Sequence, residues 1–292
     1  MKELRTKQWN IGNVEITRIH EMTDPIPWSF LFPEESADHY KRYDWLTPYY
    51  FDDEGRLLLA VQAFVVGSGS RRIIVDTCVG NDKLRSIPSC NNLQTSFLQK
   101  LTAAGYPPDT IDTVLCTHLH FDHVGWNTRL VDGRWLPAFP NARYLFGRRE
   151  WEYWQRALRE QTVETNHILD SVQPILDAGL AEFVEPEHRI TEEIGLEPTP
   201  GHTPGHVSVH IASRGQHGVI TGDIFHTPLQ IAEPELCVHA CVDHEMSCRT
   251  RREFVSRYED KEEVLVFGTH FEDPTVGRIV RDAHRHRFAT AR

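Results

Sequence analysis

The segment Thr117-His118-Leu119-His120-Phe121-Asp122-His123-Val124 places three imidazoles and one carboxylate within six residues. An apolar run over residues 113–116 precedes it and predicts a buried strand. His118 and His120 are two residues apart, so their side chains point the same way where the chain leaves that strand extended. Asp122 and His123 then project elsewhere, toward the position of a second metal. Imidazole and carboxylate groups are ligands of borderline transition metals, so the segment predicts a metal site.

The composition, with 40% apolar and 25% charged residues, is that of an ordinary globular protein. The length allows one large domain or two small ones, and the absence of a convincing linker predicts a single domain over residues 1–292. The net charge of −11 argues against a general nucleic-acid partner or an anionic membrane surface. No run approaches 18 apolar residues, so no membrane span is predicted. The N-terminus has no apolar signal segment, and the 6 cysteines form no Cys-x-x-Cys pair. These features predict reduced thiols and a cytoplasmic location.

A second histidine segment, Thr199-Pro200-Gly201-His202-Thr203-Pro204-Gly205-His206, follows a predicted strand over residues 194–198. Its prolines and glycines predict a tight, stiff loop that holds the histidines in fixed positions. His202 lies at the tip of this loop and is predicted to be a metal ligand. His206 leads into the next predicted strand, over residues 207–211, and is assigned a supporting or structural position.

Three further predicted strands, over residues 73–75, 218–221 and 264–267, end next to Asp76, Asp223 and His270. Polar groups at the carboxyl ends of several strands converge at one edge of a sheet, which is where open α/β proteins have their active or ligand-binding sites. Asp76 is predicted to accept a hydrogen bond from a metal-bound histidine and to fix its tautomer. The alternative is that Asp76 only caps the following helix.

The remaining pattern alternates strands and helices. An opening strand is predicted over residues 13–19 and a hairpin over residues 57–67 and 72–76; helices are predicted over residues 92–104, 148–159, 167–178, 249–258 and 276–288. Residues 22–53 form an insertion rich in aromatic residues and proline. Its aromatic side chains either cover the edge of the core or line a substrate entrance or a dimer contact, and the pattern leaves both interpretations open.

Together these motifs resemble the metallo-β-lactamase superfamily in order and spacing across residues 60–271. The resemblance implies an α/β fold, an αββα sandwich of two mixed β-sheets flanked by helices. It also implies two divalent metal ions, zinc first, with iron, manganese or cobalt as alternatives. The implied ligands of the first metal are His118, His120 and His202. Those of the second are Asp122, His123 and His270, and Asp223 bridges the two metals.

Within that superfamily the sequence looks most similar to the branch of acyl-homoserine lactonases and methyl-parathion-type hydrolases. The resemblance implies a metal-dependent hydrolase that opens a lactone, or cleaves a related ester, by attack of a hydroxide bridging two metals. Phosphotriesterase or arylesterase activity is the alternative. The implied partner is a small-molecule substrate, and a homodimer is expected by resemblance, with the aromatic insertion as its contact.

One position departs from the lactonase pattern. The lactonases carry a tyrosine three residues after the bridging aspartate, and this chain has His226 there. His226 is predicted to stabilise or protonate the leaving oxygen, with a capping role as its alternative, while Asp122 or Asp223 holds the proton of the attacking water. β-Lactamase activity is less favoured because many β-lactamases have cysteine where Asp223 stands. Thiolesterase, nuclease, di-iron redox and non-catalytic metal-binding functions are also less favoured.

Overall fold

The computed structural model describes residues 7–36 and 38–290. The strands are β1 (Lys7–Ile11), β2 (Val14–Ile26), β3 (Leu57–Ser68), β4 (Arg71–Val75), β5 (Thr113–Leu115), β6 (Thr128–Val131), β7 (Arg134–Pro137), β8 (Arg143–Gly147), β9 (Ala181–Val184), β10 (Ile194–Pro198), β11 (Val207–Ser213), β12 (Gln216–Ile220), β13 (Val264–Phe267), β14 (Val276–Asp282) and β15 (Arg285–Thr290). The α-helices are α1 (Trp28–Leu31), α2 (Phe97–Ala103), α3 (Phe121–Val124), α4 (Arg148–Glu160), α5 (Gln173–Asp177), α6 (Leu229–Ala232) and α7 (His244–Tyr258).

Two mixed sheets pack face to face. The first has the strand order β1-β2-β3-β4-β5-β8-β9, and the second has the order β10-β11-β12-β13-β14-β15. Neighbours are parallel from β4 through β9 in the first sheet and at β12–β13 in the second. Buried side chains from both sheets, such as Phe64 and Leu115 against Val209 and Ile220, fill the layer between them. Helices cover the outer faces, so the predicted αββα sandwich is confirmed.

The helices lie on these outer faces because each has an apolar side. In α2, Phe97 and Leu101 are one helical turn apart and both are buried against the first sheet, as is Trp154 of α4. Phe254 of α7 is buried against the second sheet. Burial of these apolar side chains fixes the positions of the helices relative to the loops at the strand ends.

The aromatic insertion belongs to the core of the second layer. Trp28, Phe32 and Tyr50 are at most 5% exposed and pack in the cluster that contains α6 and α7. The interpretation as a cover for the core edge therefore holds for these residues, whereas Phe30 and Tyr49 remain 39% and 50% exposed. The predicted start at residue 22 is too early, because β2 continues to Ile26 and pairs with β3.

The prediction of a helix over residues 276–288 is wrong, since β14 and β15 form a hairpin there. Val276, Ile279 and Val280 have helical spacing, which accounts for the error, but β-branched residues also favour strands. In the hairpin Ile279 pairs with Phe288, and both side chains are buried. Ala283 adopts the left-handed conformation, with φ 53°, that a tight turn requires.

The other helix predictions need smaller corrections. The helix predicted over residues 92–104 begins only at Phe97. The helix predicted over residues 167–178 consists of a π-helical turn, Ile168–Val172, followed by α5, in agreement with the break expected at Pro174. Among the helices of residues 7–36 and 38–290, none combines the length and the apolar character needed to cross a membrane.

Candidate metal centre

The seven predicted ligands meet where strands of both sheets end. Their supporting elements are β5 for His118 and His120, α3 for Asp122 and His123, and the segments after β10, β12 and β13 for His202, Asp223 and His270. Five of them are at most 2% exposed, while His120 and Asp122 are partly exposed. The cluster is therefore embedded in the sandwich and reaches solvent on the side of His120 and Asp122.

The first group of ligand atoms comes from three histidines and one carboxylate oxygen. His120 Nδ1 lies 3.0 Å from His118 Nε2 and 2.8 Å from His202 Nε2. Asp223 Oδ2 lies 3.2 Å from His202 Nε2. Four ligands placed tetrahedrally around zinc at 2.0–2.1 Å would be separated by about 3.3 Å. The spacing of this group therefore suits one tetrahedral cation.

The second group contains Asp122, His123 and His270. The Nε2 atoms of His123 and His270 are 3.3 Å apart. Asp122 Oδ1 lies 3.8 Å from His123 Nε2, and Asp122 Oδ2 lies 3.6 Å from His270 Nε2. Asp223 Oδ1 lies 3.0 Å from both of these nitrogens. The two oxygens of Asp223 thus face different ligand groups.

The surroundings of the buried oxygen Asp223 Oδ1 indicate whether these residues fit a metal. It accepts no hydrogen bond, although the Nε2 atoms of His123 and His270 are each only 3.0 Å away. A buried carboxylate oxygen without a partner costs free energy, and a divalent cation shared with the two imidazoles removes that cost. The donor set of imidazole and carboxylate suits zinc and also iron, manganese or cobalt. The residues present therefore fit two divalent metal ions.

The second ring nitrogen of each ligand determines how the imidazole is held. His270 Nδ1 donates to the carbonyl of Ala60 at 2.8 Å, so its Nε2 lone pair faces the cluster. His123 Nδ1 lies 3.0 Å from Asp76 Oδ2, although its N–H is not aligned with that oxygen. Asp76 also accepts a hydrogen bond from the backbone N–H of Thr117 at 2.8 Å. Asp76 thus lies directly behind His123, but the hydrogen bond predicted between them is not formed in this structure.

The two ligand groups differ in the pKa values of their imidazoles. Burial would lower the pKa of His123 and of His270, but the nearby carboxylate of Asp223 outweighs burial and raises both, that of His123 well above its usual value. Burial would raise the pKa of Asp223, but the surrounding imidazoles, first His123, outweigh burial and hold that pKa well below its usual range. Burial also lowers the pKa of His118 well below its usual value and lowers that of His202 to about 3. Neutral imidazole is the form that binds a metal, so His118 and His202 need not release a proton first.

The sequence model of the metallo-beta-lactamase superfamily matches residues 56–270, a span that contains Asp76 and all seven predicted ligands. The chain belongs to the metallo-β-lactamase superfamily. Its fold, its relatives and its ligand set make this superfamily member a metal-dependent hydrolase.

Two curated members of the superfamily show significant sequence similarity. The N-acyl homoserine lactonase AiiA of Bacillus thuringiensis subsp. kurstaki is 26% identical over 196 residues, which is 63% of this chain and 68% of that protein. The probable metallo-hydrolase YybB of Bacillus subtilis (strain 168) is 25% identical over 189 residues, covering 64% and 71% of the two chains.

Two solved structures have the same fold as this chain. The hydrolase AbOPH superposes with a TM-score of 0.81 at 24% identity, with 98% of this chain and 97% of that chain covered. AidC, a dizinc quorum-quenching lactonase solved with the product N-hexnoyl-L-homoserine, superposes with a TM-score of 0.80 at 19% identity and the same coverage.

His226 lies next to two of the candidate ligands, Asp223 and His270. Its Nε2 lies 3.1 Å from Asp223 Oδ2, and its ring stacks on that of His270 with centroids 5.4 Å apart. Its Nδ1 is buried and has no hydrogen-bond partner in the described part of the chain. The ligand atoms of His226, Asp223 and His270 are close enough to bind one metal. The geometry thus allows His226 to be either a hydrogen-bond donor or an additional ligand.

His206 lies outside the candidate ligand groups and contacts the backbone of Asp223. Its Nε2 accepts a hydrogen bond from the backbone N–H of Asp223 at 2.8 Å, while its Nδ1 donates to the carbonyl of Thr199 at 3.0 Å. Gly222 permits this approach, because it has φ 56° and a Cβ there would lie 2.5 Å from His206 Nε2. The supporting position assigned to His206 agrees with these contacts.

Two residues beside the cluster were not singled out in the sequence. Cys241 Sγ lies 3.5 Å from His202 Nδ1, and the carboxylate of Glu150 contacts both ligand-bearing loops. No local pattern marks either residue. Cys241 lies in a long connection after β12, and an acid in the first turn of a helix, such as Glu150 in α4, is commonly explained by the helix dipole alone.

Proposed function

We propose that this superfamily member binds two divalent metals and opens the ring of an N-acyl homoserine lactone or cleaves a closely related ester. The observation that carries the proposal is the position of Asp223, whose oxygens lie 3.0 to 3.2 Å from nitrogens of both ligand groups. The relatives named N-acyl homoserine lactonase support the substrate class. The first group would hold one metal, the second group the other, and Asp223 would bridge them.

Two bound divalent metals supply hydroxide at neutral pH, because they lower the pKa of water from about 16 to near 7, and they also polarise a carbonyl. The remaining roles, which are to hold the metal ligands in place and to accept a proton, are assigned to residues of the chain. Asp223 holds the two ligand groups at a fixed separation. Asp122 is partly exposed at the opening of the site, and we propose that its carboxylate accepts the proton of the attacking water.

We assign stabilisation of the leaving oxygen to His226, through a hydrogen bond donated by its ring N–H. Burial lowers the pKa of His226, so its imidazole is neutral at physiological pH. Its Nδ1 has no donor or acceptor partner among the described residues, whereas Nε2 faces Asp223 Oδ2 at 3.1 Å. The tautomer with the proton on Nε2 fits this arrangement. That N–H points into the cluster, where the alkoxide of an opening lactone would develop.

The test is a comparison of kcat/KM for three substrates with the zinc-loaded enzyme. An N-acyl homoserine lactone with a long acyl chain, an aryl ester and an aryl phosphotriester are supplied under the same conditions. The proposal predicts the highest kcat/KM for the lactone, by about 10²-fold, since interactions made only in the transition state set this ratio. A higher value for the phosphotriester or the aryl ester would contradict it and assign the chain to the alternative hydrolase class.

We propose zinc as the native metal. Histidine and aspartate ligands at this spacing suit zinc, and AidC, which has the same fold, is described as a dizinc lactonase. The homodimer, the cytoplasmic location and the single domain over residues 1–292 stay predictions from the sequence.

A further inference from the structure

Glu150 is a fully buried carboxylate in the first turn of α4 that belongs to neither ligand group. Its Oε1 accepts hydrogen bonds from the backbone N–H of Leu119 at 3.1 Å and from the indole N–H of Trp154 at 2.8 Å. Its Oε2 accepts a hydrogen bond from the backbone N–H of Gly205 at 3.0 Å. One carboxylate therefore connects two segments that are far apart in the sequence.

Both segments carry ligands of the first group. Leu119 stands between His118 and His120, and Gly205 is three residues after His202 in the proline-glycine loop. The hydrogen bonds of one side chain thus fix the backbone beside all three histidines of that group. The two histidines of the second group, His123 and His270, are not adjacent in sequence to Leu119 or Gly205, whose backbone N–H groups donate to Glu150.

The packing around Glu150 leaves little freedom at this junction. A Cβ at Gly205 would lie 2.2 Å from the backbone nitrogen of Glu150, so glycine is needed for the loop to approach the start of α4 this closely. Trp154, which donates to the same carboxylate, places its ring 5.6 Å from that of His120 in an edge-to-face contact. Helix, loop and ligand are therefore in direct contact.

We propose that Glu150 is a positioning residue that sets the metal affinity of the first ligand group and leaves that of the second group unchanged. This inference rests on the metal centre of the proposed function. Charged acceptors make stronger hydrogen bonds than neutral ones, and partners outside the metal ligands typically change metal affinity by about 10- to 100-fold. Two carboxylate oxygens are required, because one of them serves each loop.

The substitution E150Q tests whether Glu150 sets the metal affinity of the first ligand group. Glutamine has nearly the same volume but only one acceptor oxygen, and its amide N–H₂ would face one of the two backbone donors. One loop therefore loses its anchor while the helix remains packed. The substitution G205A provides a second variant with Glu150 intact, in which a methyl group displaces the His202 loop from the start of α4.

Glu21 provides a matched control. It is also a buried glutamate whose oxygens accept from a backbone N–H, that of Val79 at 2.8 Å, and from an indole N–H, that of Trp126 at 2.6 Å. It accepts a further hydrogen bond from Thr95 and is not bonded to the loops that carry the first ligand group. E21Q therefore disturbs a comparable buried network without touching those loops.

The measurement is zinc affinity by competition with a chromophoric chelator, in an H270A background that leaves only the first group complete. E150Q/H270A and G205A/H270A are expected to bind this zinc about 10- to 100-fold more weakly than H270A, whereas E21Q/H270A stays within about twofold. Equal zinc affinity of E150Q/H270A and H270A would overturn the proposed role of Glu150 and would leave the ligand assignment intact. If H270A binds no zinc while the unsubstituted protein binds two, the ligand assignment fails, and the role of Glu150 fails with it.

Discussion

His226 Nε2 lies 3.1 Å from Asp223 Oδ2, and both residues are at most 5% exposed. Oδ2 is the oxygen that faces His202, so His226 stands at the edge of the first ligand group. In this position it replaces the tyrosine expected from the lactonase pattern. Two roles of His226 are compatible with this separation, donation of a hydrogen bond to the leaving oxygen and coordination of a metal.

The substitution H226A separates these roles. If His226 donates a hydrogen bond to the leaving oxygen, kcat on the lactone falls by about 10²-fold or more, because loss of one donor to a developing oxyanion typically costs that much. The zinc content, measured by elemental analysis, stays at two per chain. H226Y restores part of kcat, since a phenol can also donate a hydrogen bond. Loss of one zinc in H226A would show instead that His226 is a ligand.

The substitution D223N tests the bridging carboxylate. The amide keeps the shape of the side chain but loses the negative charge that both ligand groups share. We expect at most one zinc per chain after dialysis, together with loss of turnover. D122N is the matched variant, because Asp122 belongs to the second group only, and it should retain the metal of the first group. Two tightly bound zinc ions in D223N would exclude a bridging role.

Metal removal should destabilise the folded chain. The imidazoles of His123 and His270 crowd Asp223 Oδ1, which accepts no hydrogen bond from them. A ligand that binds only the folded state at 100 times its Kd stabilises that state by about 2.7 kcal/mol. Thermal unfolding should therefore occur at a higher temperature with zinc than with a chelator. Magnesium, which prefers oxygen ligands, should have little effect. Identical midpoints with zinc and chelator would contradict the site.

Lys83 should make stability depend on pH. Its ammonium is buried, donates to Thr128 Oγ1 at 2.7 Å and lies 3.6 Å from the centre of the Trp135 ring. Burial lowers the pKa of Lys83 to about 7, although Asp170 opposes this shift. Between about pH 7 and 10.5 the unfolded chain binds the additional proton, so stability rises with pH by at most about 1.4 kcal/mol per unit.

The variant K83M isolates this contribution in the metal-free protein. Urea unfolding at pH 7 and pH 9 should give a smaller increase in the free energy of unfolding for K83M than for the unsubstituted chain. All other titrating groups are common to the two proteins and cancel in the comparison. The same increase in both would show that Lys83 keeps its ordinary pKa in the folded state.

The convergence of the candidate ligands could be predicted because their sequence signals are local. His118, His120 and His123 are adjacent in sequence, and His202 stands in a loop marked by proline and glycine. The strands before Asp223 and His270 are short apolar runs, and each is followed by a glycine that marks its end. The αββα arrangement itself came from the resemblance, since pairing between distant strands leaves no local pattern.

The remaining features depend on contacts between distant residues. Glu150 joins segments 31 and 55 residues away from it in the sequence, and no spacing rule indicates such a contact. The hairpin of β14 and β15 looked helical because Val276, Ile279 and Val280 also fit a helix, and only pairing with the second sheet decides between the two. The burial of Trp28 and Tyr50 likewise depends on the helices that pack over them.

The most direct test of a two-metal lactonase is a zinc titration of the metal-free protein. Proton release from a long-chain N-acyl homoserine lactone is followed with a pH indicator in weak buffer as zinc is added. We predict no turnover without metal, a rise as zinc is added and a plateau at two equivalents per chain. A metal-independent rate, or no turnover at two bound equivalents of zinc, would contradict the proposed function.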